Sequence, residues 1–129
     1  MKAQTIFLWV MGVFMIFSGI CYVAMTETVL GLSGMLVPTP TGKIDAWATY
    51  GGLMIGFGSW QVRSAWKQES IPATLMVTVY IMGSFAFLRL LGMVVHGFAD
   101  TFLVAALAFE IPITLLAWWL YHKAPVSPR

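Results

Sequence analysis

The sequence predicts an all-α fold, a four-transmembrane-helix antiparallel bundle with both termini on the cytoplasmic side. Three observations carry that expectation. Of the 129 residues 60% are hydrophobic and 9% charged, whereas a soluble domain carries about 25% charged residues. So few charges cannot clothe a water-exposed surface, and lipid must be the solvent for most of the outside. Apolar runs long enough to cross a hydrocarbon core of about 30 Å recur along the chain. Lysine and arginine gather on alternate connections, as orientation in a membrane requires.

The first apolar run, residues 5–25, holds no charged residue. It is too long for a signal-peptide core and no small-residue cleavage pattern follows it, so it reads as a retained first span. Residues 26–46 contain Gly31, Gly34, Pro38, Pro40 and Gly42, a density that marks a loop. Their apolar middle, 29–37, is too short to span and is expected on the membrane surface or over the bundle mouth. The second span covers 45–63 and is short, so its ends lean on Trp47 at one interface and on Trp60 and Trp66 at the other. Arg63, Lys67 and Glu69 make a polar connection, and Pro72 suits the first turn of a third span over 71–96. A tight turn, Gly97-Phe98-Ala99-Asp100, leads to the fourth span, 101–121, and a hydrophilic tail closes the chain. One domain, 1–129, accounts for everything.

Lys2, Arg63, Lys67, Lys123 and Arg129 then share one side, and only Lys43 lies on the other. The richer side is expected to be cytoplasmic, in a bacterial inner membrane. The net charge of +2 is too small, and the basic residues too scattered, for a nucleic-acid partner. The single cysteine, Cys21, builds no disulfide framework and is expected to pack as a small apolar residue. No phosphate-binding glycine loop, dinucleotide fingerprint or nucleophile elbow is present, so no catalytic residue is named and no cofactor is identified by motif.

Two ionisable residues fall inside spans, Arg89 in the third and Glu110 in the fourth. Counting back from the turn that joins these helices places both roughly 10–14 Å below the outer surface. Each alone costs about 2.5–3.5 kcal/mol at the centre of a membrane helix, so they are expected to pair. A structural pair that fixes register and a ligand or proton site are both open. Pro112, two residues beyond Glu110, removes a backbone hydrogen bond from the same helix. Arg89, Met93, His96 and Asp100 follow one another at helical spacing toward the outer surface. A metal needs three or four converging donors, and His96, Asp100, Glu110 and Asp45 start from different depths, so no metal site is expected.

In the second span Asp45, Thr49, Gly52, Gly56, Ser59 and Arg63 form a continuous seam of small and polar residues. Small residues at that spacing let helices approach closely, within the bundle or against a partner. Tyr50 stands one residue off the seam, at the level of the Arg89–Glu110 pair, and is a third candidate for an outer polar pocket.

The segment Asp45-Ala-Trp-Ala-Thr-Tyr-Gly-Gly52, with Gly56, Gly58, Arg89 and Glu110, resembles a family of small bacterial four-helix membrane proteins of unknown function. The box Ala48-x-Tyr50-Gly51-Gly52 is the most specific part of the likeness. Trp47 departs from it, standing where members often carry arginine. In architecture the chain is also similar to DoxX-like four-helix proteins, which implies accessory subunits and assembly factors.

Three functions are expected in order. The first is an accessory or assembly subunit of a larger membrane complex, meeting a membrane-protein partner or a second copy through the small-residue face. The alternative is a binder of a lipid, quinone or isoprenoid in an outer-half pocket lined by Tyr50, Arg89 and Glu110. The third is a small membrane enzyme or proton-coupled transporter using Glu110.

Overall fold

The computed structural model describes residues 2–124, and among them it is all-helical with no strand. Arg129, counted above in the orientation, lies outside the described residues. The order is α1 (Ala3–Ala24), α2 (Thr26–Gly31), α3 (Pro40–Ala46), a π-helical segment (Trp47–Gly52), α4 (Leu53–Lys67), α5 (Ile71–His96) and α6 (Thr101–His122). Three of these, α1, α5 and α6, are long and apolar enough to cross a membrane. They mark the chain as a membrane protein.

The segment 45–63, expected from the sequence as a second span, is not among these three and is built differently from a plain helix. Helix begins at Pro40, because Thr39 caps it, accepting a hydrogen bond from the Gly42 N–H at 3.1 Å, and Pro40 follows at the start. The run then widens into a π turn over Trp47–Gly52 and narrows again into α4. Residues 26–46 are correspondingly not all loop. They contain α2 and α3, clipped together by Lys43 Nζ to Glu27 Oε1 at 3.1 Å. Trp47 Nε1 also donates to Thr26 Oγ1 at 2.7 Å.

At the far end α5 stops at His96 through a paired cap. Gly97 turns left-handed at φ 59°, its N–H returning to Val94 O and that of Phe98 to Met93 O. Asp100 then starts α6 by accepting from Leu103 N at 2.8 Å. Asp100 is therefore a cap, and the helical stripe from Arg89 does not continue to it.

Helix α1 packs chiefly on α4, and α5 chiefly on α6. The pairs are joined where α4 turns into α5. There Gln61 Nε2 donates to Thr78 Oγ1 at 3.0 Å and Thr74 Oγ1 to Ser64 Oγ at 3.0 Å, while Thr5 Oγ1 of α1 donates to Gln68 Oε1 at the end of α4 at 3.2 Å. Phe7, Leu8, Met11, Leu75, Ala117 and Leu120 fill the core around those bonds. Toward the other end the helices are far less covered: Leu88, Val94 and Val95 are 61%, 78% and 69% exposed.

The α1/α4 contact is made by backbone. A Cβ added at Gly12 would lie 2.8 Å from the carbonyl oxygen of Gly58, and one at Gly58 would lie 2.6 Å from that of Gly12. Two turns along, a Cβ at Gly19 would lie 2.8 Å from the oxygen of Gly51. Glycines seven apart on each helix thus face one another in antiparallel register, which is the approach that lipid-embedded helices need to attract each other.

This contact corrects the seam expected from sequence. Thr49, Gly52, Gly56 and Ser59 are exposed, and a Cβ at Gly56 would meet nothing within 4 Å. The glycines on the neighbouring face, Gly51 and Gly58, do the packing inside the bundle.

Candidate functional site: an ion pair beside an apolar groove

Arg89 and Glu110 face each other across α5 and α6. Arg89 Nε donates to Glu110 Oε2 at 3.1 Å and Nη2 to Oε1 at 2.8 Å. This two-bonded fork uses the guanidinium's planar geometry and both carboxylate oxygens. The Glu110 side chain is 9% exposed and that of Arg89 25%. The Arg89 guanidinium also lies 6.0 Å from the centroid of Phe102, within reach of a weak cation–π attraction. Sequence reasoning missed Phe102. Its place at the start of α6, two turns before Glu110, was the available signal.

The pair does not fill its surroundings. Arg89 lines a groove of about 510 Å³ with Phe85, Leu88, Gly92, Met93, His96, Phe98 and Leu103. Apart from Arg89 and His96 every one of these residues is apolar. Nη1 of Arg89 makes no hydrogen bond among the described residues, since Nε and Nη2 carry both bonds to Glu110. A partly buried guanidinium therefore keeps N–H donors free beside an apolar trough, the chemistry of a site for a polar head on a long apolar body.

The other candidates separate. Tyr50 stacks on Tyr22 of α1, ring centroids 5.4 Å apart, and does not line this groove. The reason is the π turn and the Gly51–Gly19 contact, which bring Tyr50 against α1. Tyr22, its partner in that stack, lies within electrostatic range of both Tyr50 and Arg89. His96, the last residue of α5, lines the groove. Asp45 is exposed on α3, and Asp100 is occupied as the α6 cap. Among the described residues no three His, Cys, Asp or Glu side chains converge as metal ligands.

Pro112 lies inside an α6 that continues from Thr101 to His122. Two residues beyond it Thr114 Oγ1 donates to the Glu110 carbonyl at 2.8 Å. That carbonyl would otherwise accept only from the next turn, so the hydroxyl adds a polar anchor beside the carboxylate's own residue.

Residues 3–121 match the family described as a domain of unknown function (DUF4345). The chain belongs to the DUF4345 family. No curated protein and no solved structure matches it. Within this DUF4345 chain the box Ala48-x-Tyr50-Gly51-Gly52 coincides with the π-helical segment. One of its glycines, Gly51, is a packing residue and the other, Gly52, is exposed.

Proposed function

We propose that this DUF4345 chain is a four-span inner-membrane protein, N-in and C-in, that holds one long-chain amphiphile in the groove beside Arg89. In this reading the interrupted run Pro40–Lys67 is the span that joins α1, α5 and α6 in crossing the membrane. Its polar connection, carrying Arg63 and Lys67, lies on the cytoplasmic side with Lys2 and Lys123. The observation that carries the proposal is that Arg89, whose Nη1 makes no hydrogen bond among the described residues, lines a groove that is apolar apart from Arg89 and His96. The ligand's head, an ester, a quinone carbonyl or an alcohol oxygen, accepts from Nη1. Its tail lies against Leu88, Met93 and Leu103. Because Glu110 already neutralises the guanidinium, a neutral acceptor suits the site as well as an anion does.

Native mass spectrometry of protein taken gently from its own membrane tests this. One reproducible small-molecule adduct is expected. Arg89→Ala and Glu110→Gln should each lose it while the protein stays folded. Unchanged adducts in both variants would refute the reading.

A second reading, an accessory subunit of a larger membrane complex, is favoured by one specific observation. The Thr49, Gly52, Gly56 and Ser59 face is exposed rather than consumed by the bundle, and close helix approach is what such a face permits. A second subunit at fixed ratio in the same spectra, lost on Gly56→Leu, would support it.

A further inference from the structure

A second groove lies on the face formed by α1 and α4, remote in sequence from Arg89 and sharing none of its lining. It measures about 460 Å³ and is lined by Ile16 of α1 and by Ser59, Val62, Arg63, Trp66 and Lys67 of α4. Its floor derives from the glycine contact. Val62 packs over Gly12 and Ile16 over Gly58, so two short apolar side chains sit beside the place where the backbones meet.

The charges in this groove are all of one sign. Arg63 and Lys67 stand one helical turn apart, about 6 Å along the axis. Neither pairs with an acidic side chain among the described residues, whose two ion pairs are Lys43–Glu27 and Arg89–Glu110. No carboxylate lines the groove. Trp66 is 70% exposed beside them and lies 6.0 Å from Trp9, the placement of an indole at a membrane–water boundary. Ser59 sits one turn deeper than Arg63, toward the middle of α4.

We propose that this groove binds one anionic phospholipid. The phosphodiester lies between Arg63 and Lys67, the Ser59 hydroxyl reaches the ester level one turn deeper, and an acyl chain runs over Ile16 and Val62. The chemistry selects the headgroup. Two cations attract the phosphate, but with no carboxylate in the lining nothing balances the ammonium of a choline or ethanolamine head. A lipid whose only headgroup charge is the phosphate is therefore preferred. The apolar floor separates this lipid from free phosphate, which has no tail to lay there.

The test is a titration of the detergent-purified full chain with phosphatidylglycerol, phosphatidylcholine or inorganic phosphate, read as bound-lipid populations by native mass spectrometry. One phosphatidylglycerol should bind at least about tenfold more tightly than phosphatidylcholine, a preference that shrinks at high salt. Inorganic phosphate should not compete. Arg63→Gln with Lys67→Gln should weaken phosphatidylglycerol on the order of 30-fold, at roughly tenfold or less per charge. The swap Arg63→Lys with Lys67→Arg should largely keep the affinity, and Lys43→Gln, on α3 and outside this groove, should leave it unchanged. Equal affinity for the two lipids in the unmodified protein would overturn the proposal whether or not any variant folds. So would competition by phosphate, a preference that survives the double Gln variant, or one abolished by Lys43→Gln.

Discussion

The two helix pairs of this bundle are held together by opposite means. In α1/α4 the backbones themselves touch, glycine to glycine, at Gly12 with Gly58 and Gly19 with Gly51. In α5/α6 a Cβ at Gly83 would meet only the Thr114 side chain, at 3.4 Å, and a two-bonded ion pair, Arg89 with Glu110, ties the helices. Lipid offers no hydrophobic force between helices, so either close packing or polar bonding must supply the attraction. The contrast bears on where function can reside. Touching backbones leave no room between them, so a groove on α1/α4 can form only over the flanking Ile16 and Val62, while the ion pair leaves donors on the arginine and space directly beside it.

The largest expected effect breaks the first pair. Gly58→Leu drives a side chain into the Gly12 carbonyl and should cost more than about 4 kcal/mol or prevent folding. Reversible unfolding in mixed micelles checks it. Removing one partner of the second pair comes next. Arg89→Met leaves a buried carboxylate alone and should cost about 3 kcal/mol, whereas Arg89→Met combined with Glu110→Leu should be nearly neutral. A double variant as unstable as the single one would show that the pair's neighbours, not its charges, set the cost. Smaller still, Trp47→Phe removes the bond to Thr26 Oγ1 and should cost about 1 kcal/mol. The smallest effect sharpens the contrast between glycines: Gly56→Ala, with open space around it, should change stability by less than about 0.5 kcal/mol. A large loss there would mean that Gly56 is buried against a partner in the membrane.

Legibility in the sequence divides along the same line. The meeting of Arg89 and Glu110 could be read because it depends only on helix rise, a short turn and the cost of a lone charge in lipid. The packing seam could not be read from residues 45–63 alone. Gly51, Gly52, Gly56 and Gly58 offer two adjacent faces, and only their match to Gly12 and Gly19 on α1 selects one. The signal for that match is the same spacing of seven on both helices, run antiparallel. The π turn hid the rest. A seam drawn through Asp45, Thr49 and Gly52 at α-helical spacing crosses Trp47–Gly52, where the backbone closes wider turns and rotates the residues beyond them. Tyr50 was aimed at the ion pair by the same assumption and meets Tyr22 instead. The short helices of 26–46 were obscured by proline and glycine. There a single capping pair, Thr39 and Pro40, outweighed composition.

Whether the α5/α6 ion pair serves a ligand as well as the fold is open to a direct test. The double variant Arg89→Met with Glu110→Leu separates the two roles, since it is expected to stay folded. Organic extraction of this variant and of the unmodified protein, each purified from the same membrane, followed by mass spectrometry of the extract, gives the answer. Both should carry the phospholipid of the α1/α4 groove. One further amphiphile should be recovered at about one per chain from the unmodified protein, the one-site stoichiometry of the Arg89 groove, and be missing from the folded double variant. Equal recovery of this further amphiphile from both, or none from either, would contradict the ligand role and leave Arg89–Glu110 as a structural clasp.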